Sequence, residues 1–330
     1  MVAVPPLLVA AVLFLVGIAL VIESVETFVE TVAEAALGLG VSTFFLTVLL
    51  AGVDLENAVL GVAAMTGDLP GVALGTVFGE ALFVLGAAVG LAGLVAPFEI
   101  RVPRVYILLM VVSPAPMLLL SLDGTLSRFD GAVLVGLFVP FVVAVYWLET
   151  RTDVQFLAAE AVEEALEEEN EREDGEHEGS GSDRGLRALA VPLLAVVGMT
   201  VGSELAVRGA RDLLGAVGLS GLAFGATAMS FIASLEELFL TVEPVRQGRP
   251  HLGVGNVVGS MAFFVTANAG VVALLAPLDV GGSVMTVHWP FLLGLLAGVV
   301  ALFARGKVDR PAGALLLAGY GGYWVANVVV

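Results

Sequence analysis

The chain has 330 residues, of which 58% are hydrophobic, and its mean hydropathy of +1.01 lies well above that of soluble domains. Its formal net charge is −18, so it lacks the basic surface that binding to nucleic acid requires. It contains no cysteine, which excludes disulfides and thiolate metal sites. These features predict a polytopic membrane protein whose immediate surroundings are the lipid bilayer.

Apolar runs of about 20 residues, the length that crosses a bilayer as a helix, recur along nearly the whole chain. The first run lacks a preceding basic segment and leads into Glu23 instead of a cleavage site, so we interpret it as a retained helix. The runs predict an all-α polytopic membrane protein of ten transmembrane helices, with approximate bounds 4–22, 41–66, 71–96, 104–122, 130–149, 187–206, 219–243, 252–276, 284–304 and 311–329.

An acidic segment separates the first five predicted helices from the last five. Between Asp153 and Asp183 there are 13 acidic residues and one basic residue. The Gly/Ser end of this segment has the composition of a disordered linker. We therefore divide the chain into a five-helix half at 1–149, an acidic linker at 150–186 and a second five-helix half at 187–330.

Residues 41–97 and 219–277 repeat one another. A single offset of 180 residues superimposes Leu55 on Leu235, and the alignment needs no gap. Because each half has five helices, the second half enters the membrane from the opposite side. We therefore predict two inverted repeats, a plan typical of secondary transporters whose substrate site lies near the midplane of the bilayer.

The basic residues predict the orientation. Eleven of the 14 lysines and arginines fall on one side of the predicted helices, and only Arg128, Arg208 and Arg211 fall on the other. The richer side is expected to be cytoplasmic, which places the acidic linker inside and both termini outside a multi-pass cell-membrane protein. We interpret His288 and Trp289, which lie near the start of the ninth predicted helix, as interfacial residues.

Acidic and polar residues inside the repeated segments are the candidate functional residues. An ionisable group within a membrane span is costly unless it is paired, hydrated or bound to an ion. The same helices contain no arginine or lysine at a matching depth, so a bound cation or proton is expected. Oxygen ligands suit Ca²⁺, Mg²⁺ or Na⁺. The candidate metal ligands are Asp54, Glu56, Asn57, Glu80, Ser234, Glu236, Glu237, Asn256 and Ser260.

The two segments resemble the alpha repeats of the calcium/cation antiporter superfamily, the sodium/calcium exchanger membrane protein family. Those repeats read approximately G-T-S-L-P-E, followed further along by G-N-x-x-G-S-N. Here 53–57 and 75–80 correspond in the first half, and 233–237 and 255–260 in the second. The resemblance implies a transporter without enzymatic activity or cofactor, which exchanges Ca²⁺ for Na⁺ or H⁺ by alternating access. Its partners would then be small cations.

The match to the family motif leaves two registers open. The proline of the motif is replaced by Glu56 and Glu236, and its acid falls on Asn57 and Glu237. A shift of one residue instead makes Glu56 and Glu236 the central pair. Glu80 occupies a position that is usually serine and could restore the charge that is missing at Asn57. We favour Glu237 with Glu80 as the central ligands.

Other functions also remain open at this point. A proton-coupled calcium exchanger is the nearest alternative to sodium coupling. The family's second acid or amide is replaced by Val84 and Phe264, which is expected to remove two ligands and leaves room for a transport-incompetent assembly or regulatory protein. An intramembrane enzyme is disfavoured because no G-x-S-x-G or H-E-x-x-H motif occurs. The absence of a P-loop disfavours ATP-driven transport.

Overall fold

The structure, a computed structural model, describes residues 6–38, 54–149 and 181–329. These residues are almost entirely helical. The elements of the first half are α1 (Pro6–Gly38), α2 (Leu55–Thr66), α3 (Pro70–Leu82), a π-helical segment (Phe83–Ala88), α4 (Val89–Val95), β1 (Phe98–Glu99), α5 (Arg104–Val112), α6 (Pro114–Leu120), a 3₁₀ turn (Ser121–Asp123), β2 (Thr125–Leu126) and α7 (Arg128–Glu149). Those of the second half are α8 (Gly181–Val217), α9 (Gly221–Phe224), a π-helical segment (Gly225–Met229), α10 (Ser230–Ala233), α11 (Leu235–Arg246), α12 (Pro250–Phe263), a π-helical segment (Phe264–Asn268), α13 (Ala269–Leu275), β3 (Leu278–Asp279), a π-helical segment (Val284–His288), α14 (Trp289–Arg305), β4 (Lys307–Val308) and α15 (Arg310–Val329).

Eight helical segments of the described residues are long and apolar enough to cross a membrane. The bent pair Gly221–Ala233 and Leu235–Arg246 makes a ninth if it forms one broken span. Leu55–Thr66 is a shorter apolar helix, and the first part of the predicted second helix, 41–53, lies outside the described residues. Large apolar side chains are exposed on several of these segments, as expected for a surface that faces lipid.

Two helices extend beyond their predicted bounds. Helix α1 continues to Gly38, and α8 begins at Gly181 and ends at Val217. The predicted disorder of the linker is therefore wrong for 181–186, while 150–180 lie outside the described residues. Each residue added to an existing helix gains a backbone hydrogen bond, so a helix can continue past the apolar run that marks its membrane-crossing part.

Helices α1 and α8 form one compact unit. Small residues lie where the two helices touch. A Cβ atom added at Gly17 would lie 2.3 Å from the backbone nitrogen of Ala206, and one added at Gly202 would lie 2.8 Å from the carbonyl oxygen of Gly17. Such close approach of two backbones is typical of helix pairs in membranes, where small side chains permit extensive van der Waals contact.

The second compact unit contains the elements from α2 to α7 and from α9 to α15. Its two most enclosed spans are Pro70–Val95, whose most apolar window is 100% buried, and Pro250–Leu275, at 89%. The other six spans are at most 44% buried. The protein therefore encloses most of the residues of these two spans, including the buried acid Glu80.

Backbone crossings fix the position of α3. A Cβ atom at Gly75 would lie 2.3 Å from the carbonyl oxygen of Leu222, and one at Gly225 would lie 2.2 Å from that of Val72. Neither position has room for a side chain, so the backbones of α3 and of the helix that leads to Ser234 are in direct contact. The two glycines bring Glu80, on the last turn of α3, towards the second half.

Reciprocal contacts also join the outer parts of this unit. Strand β1 pairs antiparallel with β4, and β2 pairs antiparallel with β3. A Cβ atom at Gly270 would lie 2.8 Å from the carbonyl oxygen of Gly131, and one at Gly313 would lie 2.5 Å from that of Gly90. Through both the strand pairs and the glycine contacts, each half touches the other with equivalent elements.

Candidate cation site

Asp54 is the N-cap of α2 and is held by both of its carboxylate oxygens. Oδ1 accepts a 2.9 Å hydrogen bond from the backbone N–H of Asn57, and Oδ2 accepts one from the side-chain amide of Asn57. An acceptor at this position satisfies an N–H group that has no partner within the helix. The N-terminal end of a helix also favours a negative charge. The Asp54 carboxylate is thus fixed in place at the helix end.

Asp54 also interacts electrostatically with acids of both repeats. Its carboxylate acts on Glu56 of α2 and on Glu237 of α11. Asp54 acts electrostatically on Glu80 of α3, and Glu236 acts on both Glu56 and Glu237. Neighbouring carboxylates repel one another when they are all ionised. The arrangement therefore favours binding of a proton or a cation.

The two acids at the centre of the sequence-based prediction are shielded from solvent. Glu80 is 0% exposed and Glu237 is 4% exposed. One oxygen of each, Glu80 Oε1 and Glu237 Oε2, is buried without a hydrogen-bond partner among the described residues, and so is Ser234 Oγ. Buried polar atoms nearly always have a partner, and an isolated buried charge is costly. These oxygens are available as ligands for a cation.

The second repeat brings its acids to the site at a helix break. Ser234 ends α10 and precedes α11, and the two helical segments meet at 48°. The proline of the family motif is absent, and the break follows the π-helical segment Gly225–Met229, a local geometry that often accompanies kinks. The break starts a new helix whose first turn contains Glu236 and Glu237.

Asn268 is a site residue that the sequence analysis missed. Its side-chain Nδ2 donates a 3.0 Å hydrogen bond to Glu80 Oε2, and both residues are 0% exposed. The loss of a ligand at Phe264 stays a prediction, and Asn268 provides a buried amide four residues later. It lies in the π-helical segment Phe264–Asn268, whose wider turn changes which side chains face the neighbouring helix. The signal was a lone amide within an apolar run.

The remaining candidates lie on the same helices. Asn256 of α12 donates from its amide to the hydroxyl of Thr241 at 3.2 Å. Ser260 is buried on α12, at 6% exposure. In the described part of the chain, no group of three or more acidic or histidine side chains has the arrangement of a metal site. A cation bound here would therefore also need amide, hydroxyl or backbone oxygens.

The sequence matches the family described as sodium/calcium exchanger protein over residues 9–147 and 187–329. The chain belongs to this family. The two matched segments cover both halves of the chain and omit the acidic linker at 150–186, and the family consists of transporters rather than enzymes.

Individual relatives span almost the whole exchanger chain. The inner membrane protein YrbG of Escherichia coli is 27% identical over 338 residues, covering 98% of this chain and 100% of YrbG. The sodium-calcium exchanger NCX_Mj, in crystals soaked with Na⁺ and Sr²⁺, has a TM-score of 0.56 at 21% identity and covers 98% of this chain and 99% of its own. The H⁺/Ca²⁺ exchanger CAX has a TM-score of 0.70 at 14% identity and covers 97% and 86%. The two structures show that the fold is shared.

The interpretation of His288 and Trp289 as interfacial residues is wrong for this exchanger-family protein. His288 is 1% exposed and Trp289 is 2% exposed. His288 Nδ1 lies 2.7 Å from the hydroxyl of Tyr323. The rings of His288 and Trp289 both pack against Phe78 of α3. Their position near a predicted helix end suggested an interface, but the packing of α14 against α3 places them in the protein interior.

Proposed function

We propose that this protein is a secondary active cation antiporter that exchanges Ca²⁺ for Na⁺ by alternating access. The observation that carries the proposal is that Glu80 and Glu237, buried acids of the two repeats, both interact electrostatically with Asp54. One cluster of carboxylates can hold either a divalent ion or its monovalent competitors. Binding of one therefore requires release of the other, which is the condition for exchange.

The charge around the cluster supports a cation as the substrate. The sequence contains no lysine or arginine at 54–100 or 212–245, so no basic side chain of these segments neutralises the acids. Ca²⁺ takes about 6–8 oxygen ligands, including carboxylate, amide and carbonyl oxygens. Asn57 Oδ1 and Ser234 Oγ are buried near the acids in sequence and lack hydrogen-bond partners among the described residues. They fit the role of neutral ligands.

The repeats support the inverted architecture. Helix α2 starts at Leu55 and α11 at Leu235, while α3 starts at Pro70 and α12 at Pro250, which is the 180-residue offset seen in the sequence. With five helices in each half, ten in all, 1–149 and 187–330 would cross the membrane in opposite directions. Such repeats typically place the site near the midplane and let one bundle rock against the other.

The distribution of basic residues supports one orientation of this architecture in the membrane. The acidic linker at 150–186 would lie in the cytoplasm and both termini outside, because most lysines and arginines fall on the linker side. The protein would act as a multi-pass protein of the cell membrane. Small cations would be its substrates, and it would need no cofactor.

Proton coupling is the second candidate, and the burial of Glu237 near a second acid favours it. Glu237 is 4% exposed and interacts electrostatically with Asp54. Neighbouring buried carboxylates repel each other when both are ionised, so one of them can take up a proton when no cation is bound. A proton could thus replace the departing cation and be carried back across the membrane.

The experiment is Ca²⁺ uptake by liposomes that contain the purified protein, driven either by an outward Na⁺ gradient or by a pH gradient. We expect the Na⁺ gradient to drive uptake. We expect Glu237→Gln to reduce it by more than about 100-fold, because even the outer-shell partners of metal sites contribute about 10- to 100-fold. Glu243→Gln is the matched control, since Glu243 lies on the same helix and is exposed, beside Arg246.

The outcomes separate the candidates. Uptake that follows only the pH gradient would establish proton coupling instead of sodium coupling. Folded protein that moves Ca²⁺ under neither gradient would overturn the antiporter proposal. A Glu237→Gln variant that transports like the Glu243→Gln control would show that the cluster around Asp54 is not the transport site.

A further inference from the structure

We propose that Glu80 and Asn268 form a monovalent-cation subsite at one edge of the acid cluster around Asp54, and that Asn268 discriminates Na⁺ from Ca²⁺. The inference rests on the proposed antiport function and assigns one part of its site. It concerns a residue outside the family motif, since Asn268 lies beyond the 255–260 segment that matches it.

The hydrogen bond between the two side chains leaves one oxygen on each available. Asn268 Nδ2 donates to Glu80 Oε2, and this contact fixes both side chains. Asn268 Oδ1 and Glu80 Oε1 are both buried without a hydrogen-bond partner among the described residues. Buried oxygen atoms that lack a donor are suited to a cation. The pair thus presents one carboxylate oxygen and one neutral oxygen.

A glycine keeps a side chain away from the Asn268 oxygen. A Cβ atom at Gly61 of α2 would lie 3.4 Å from Asn268 Oδ1. The repeat-related residue is Thr241, whose hydroxyl accepts a hydrogen bond from Asn256. The second repeat therefore has a hydroxyl, bonded to an amide nitrogen, at the position where the first repeat has no side chain. Gly61 thus leaves open the space beside the Asn268 oxygen.

The charge of the pair indicates which cation it would take. Glu80 supplies one negative charge and Asn268 supplies none, whereas Asp54 interacts electrostatically with both Glu56 and Glu237. Affinity for Ca²⁺ rises with the number of charged ligands. A divalent ion also loses more hydration energy than a monovalent ion on burial, so it needs more compensating charge. The Glu80–Asn268 pair thus suits Na⁺, and the acids around Asp54 suit Ca²⁺.

The subsite would occur once in the chain. By the 180-residue offset, Ser260 corresponds to Glu80 and Ala88 to Asn268. The second copy of this arrangement therefore has neither the acid nor the amide. A single monovalent subsite beside an acid cluster built from both repeats would make Na⁺ binding and Ca²⁺ binding separable by mutation.

The test measures ion binding on purified protein, apart from transport. Binding of ²²Na⁺ and ⁴⁵Ca²⁺ is measured for wild type and Asn268→Ala, together with the stabilisation that each ion gives against thermal unfolding. We expect Asn268→Ala to raise the Na⁺ concentration for half-saturation by about 10-fold or more, because a ligand and the anchor of Glu80 are both lost. Its Ca²⁺ affinity, measured without Na⁺, should stay within about 3-fold of wild type.

Two further variants make the result specific. Asn327→Ala is the matched control, since this buried amide donates to the backbone carbonyl of Tyr323 and should leave both affinities unchanged. Asn268→Asp keeps the shape of the side chain and adds a carboxylate beside Glu80. It should raise the preference for Ca²⁺ over Na⁺ by about 10-fold or more, and it provides the test if Asn268→Ala does not fold.

Equal losses of Na⁺ and Ca²⁺ binding in Asn268→Ala, or no change in either, would overturn the subsite. The same holds if Asn268→Asp keeps the wild-type ratio of the two affinities. Wild-type protein that binds neither ion would overturn the proposed antiport function itself. Wild-type protein that exchanges ions while Asn268→Ala leaves the Na⁺ affinity unchanged would refute only the role of Asn268.

Discussion

The two repeats place different side chains on equivalent backbone positions, and the difference is clearest at Asp54 and Ser234. Asp54 caps its helix with both carboxylate oxygens bonded to Asn57. Ser234 makes no side-chain cap, and its buried hydroxyl has no hydrogen-bond partner among the described residues. Both residues precede a helix of 12 residues. The repeat thus maintains the helix start, while the oxygen offered to a ligand varies.

Two further pairs of equivalent positions also have a carboxylate in one repeat and a neutral polar side chain in the other. Asn57 of the first copy corresponds to Glu237 of the second, and Glu80 of the first corresponds to Ser260 of the second. At each of these positions one copy supplies a carboxylate and the other a neutral oxygen. The site therefore combines unequal contributions, and equivalent substitutions in the two repeats should have unequal effects.

The largest difference in Ca²⁺ uptake is expected between Glu80→Gln and Ser260→Ala. Glu80→Gln removes a buried charge and should reduce Ca²⁺ uptake into liposomes by more than about 100-fold. Ser260→Ala removes a neutral hydroxyl and should cost less than about 10-fold. Uptake is measured at equal amounts of reconstituted protein. Equal losses in the two variants would contradict an unequal division of the ligands.

Asp54→Asn is expected to have two smaller effects of opposite sign, one on stability without cations and one on stabilisation by Ca²⁺. The amide oxygen can still cap α2, but the charge near Glu56 and Glu237 is lost, which removes repulsion between acids. Without cations the free energy of unfolding should rise by about 1 kcal/mol, whereas the stabilisation by added Ca²⁺ should fall. Thermal unfolding with and without Ca²⁺ measures both effects.

Ser234→Ala is the comparison in the second repeat. It removes a hydroxyl without a charge, so the unfolding temperature in cation-free buffer should change little. A cation-free destabilisation by Asp54→Asn larger than that of Ser234→Ala would indicate that the cap of α2, rather than repulsion among the acids, dominates at this position.

The smallest difference is expected in the free energy of unfolding, between two glycine variants at helix crossings that occur in both repeats. Gly90→Ala and Gly270→Ala, which the 180-residue offset relates, each place a methyl group against the carbonyl oxygen of a crossing helix, at Gly313 and Gly131. Each should lower the free energy of unfolding by about 1–3 kcal/mol, and the two values should agree within about 1 kcal/mol. Titration with a denaturing detergent measures these values.

Gly294→Ala is the control for that comparison, since no atom lies within 4 Å of the added methyl group. It should be neutral or stabilise α14 by up to about 1 kcal/mol, because alanine has a higher helix propensity than glycine. A strongly unequal effect of the two crossing variants would show that the halves do not pack equivalently.

Part of the site could be predicted because its signals are local. A carboxylate in an apolar run is conspicuous wherever that run lies in the fold, so the sequence singled out Glu80 and Glu237 as candidates, and the structure buries both. Asn268 was missed because its importance depends on a π-helical turn and on a contact with a residue 188 positions away. His288 was misinterpreted because its burial depends on how α14 packs against α3.

The amino-acid sequence is enough to predict that the protein crosses a membrane many times and that its halves are related. Both properties follow from apolar runs and a constant offset, which need no knowledge of contacts. The hydrogen bond from Asn268 to Glu80 and the interaction of Asp54 with acids of both repeats come from the packing of the helices. The physical reason is that a hydrogen bond or a shared ion depends on distances of a few ångströms between helices, and packing sets those distances.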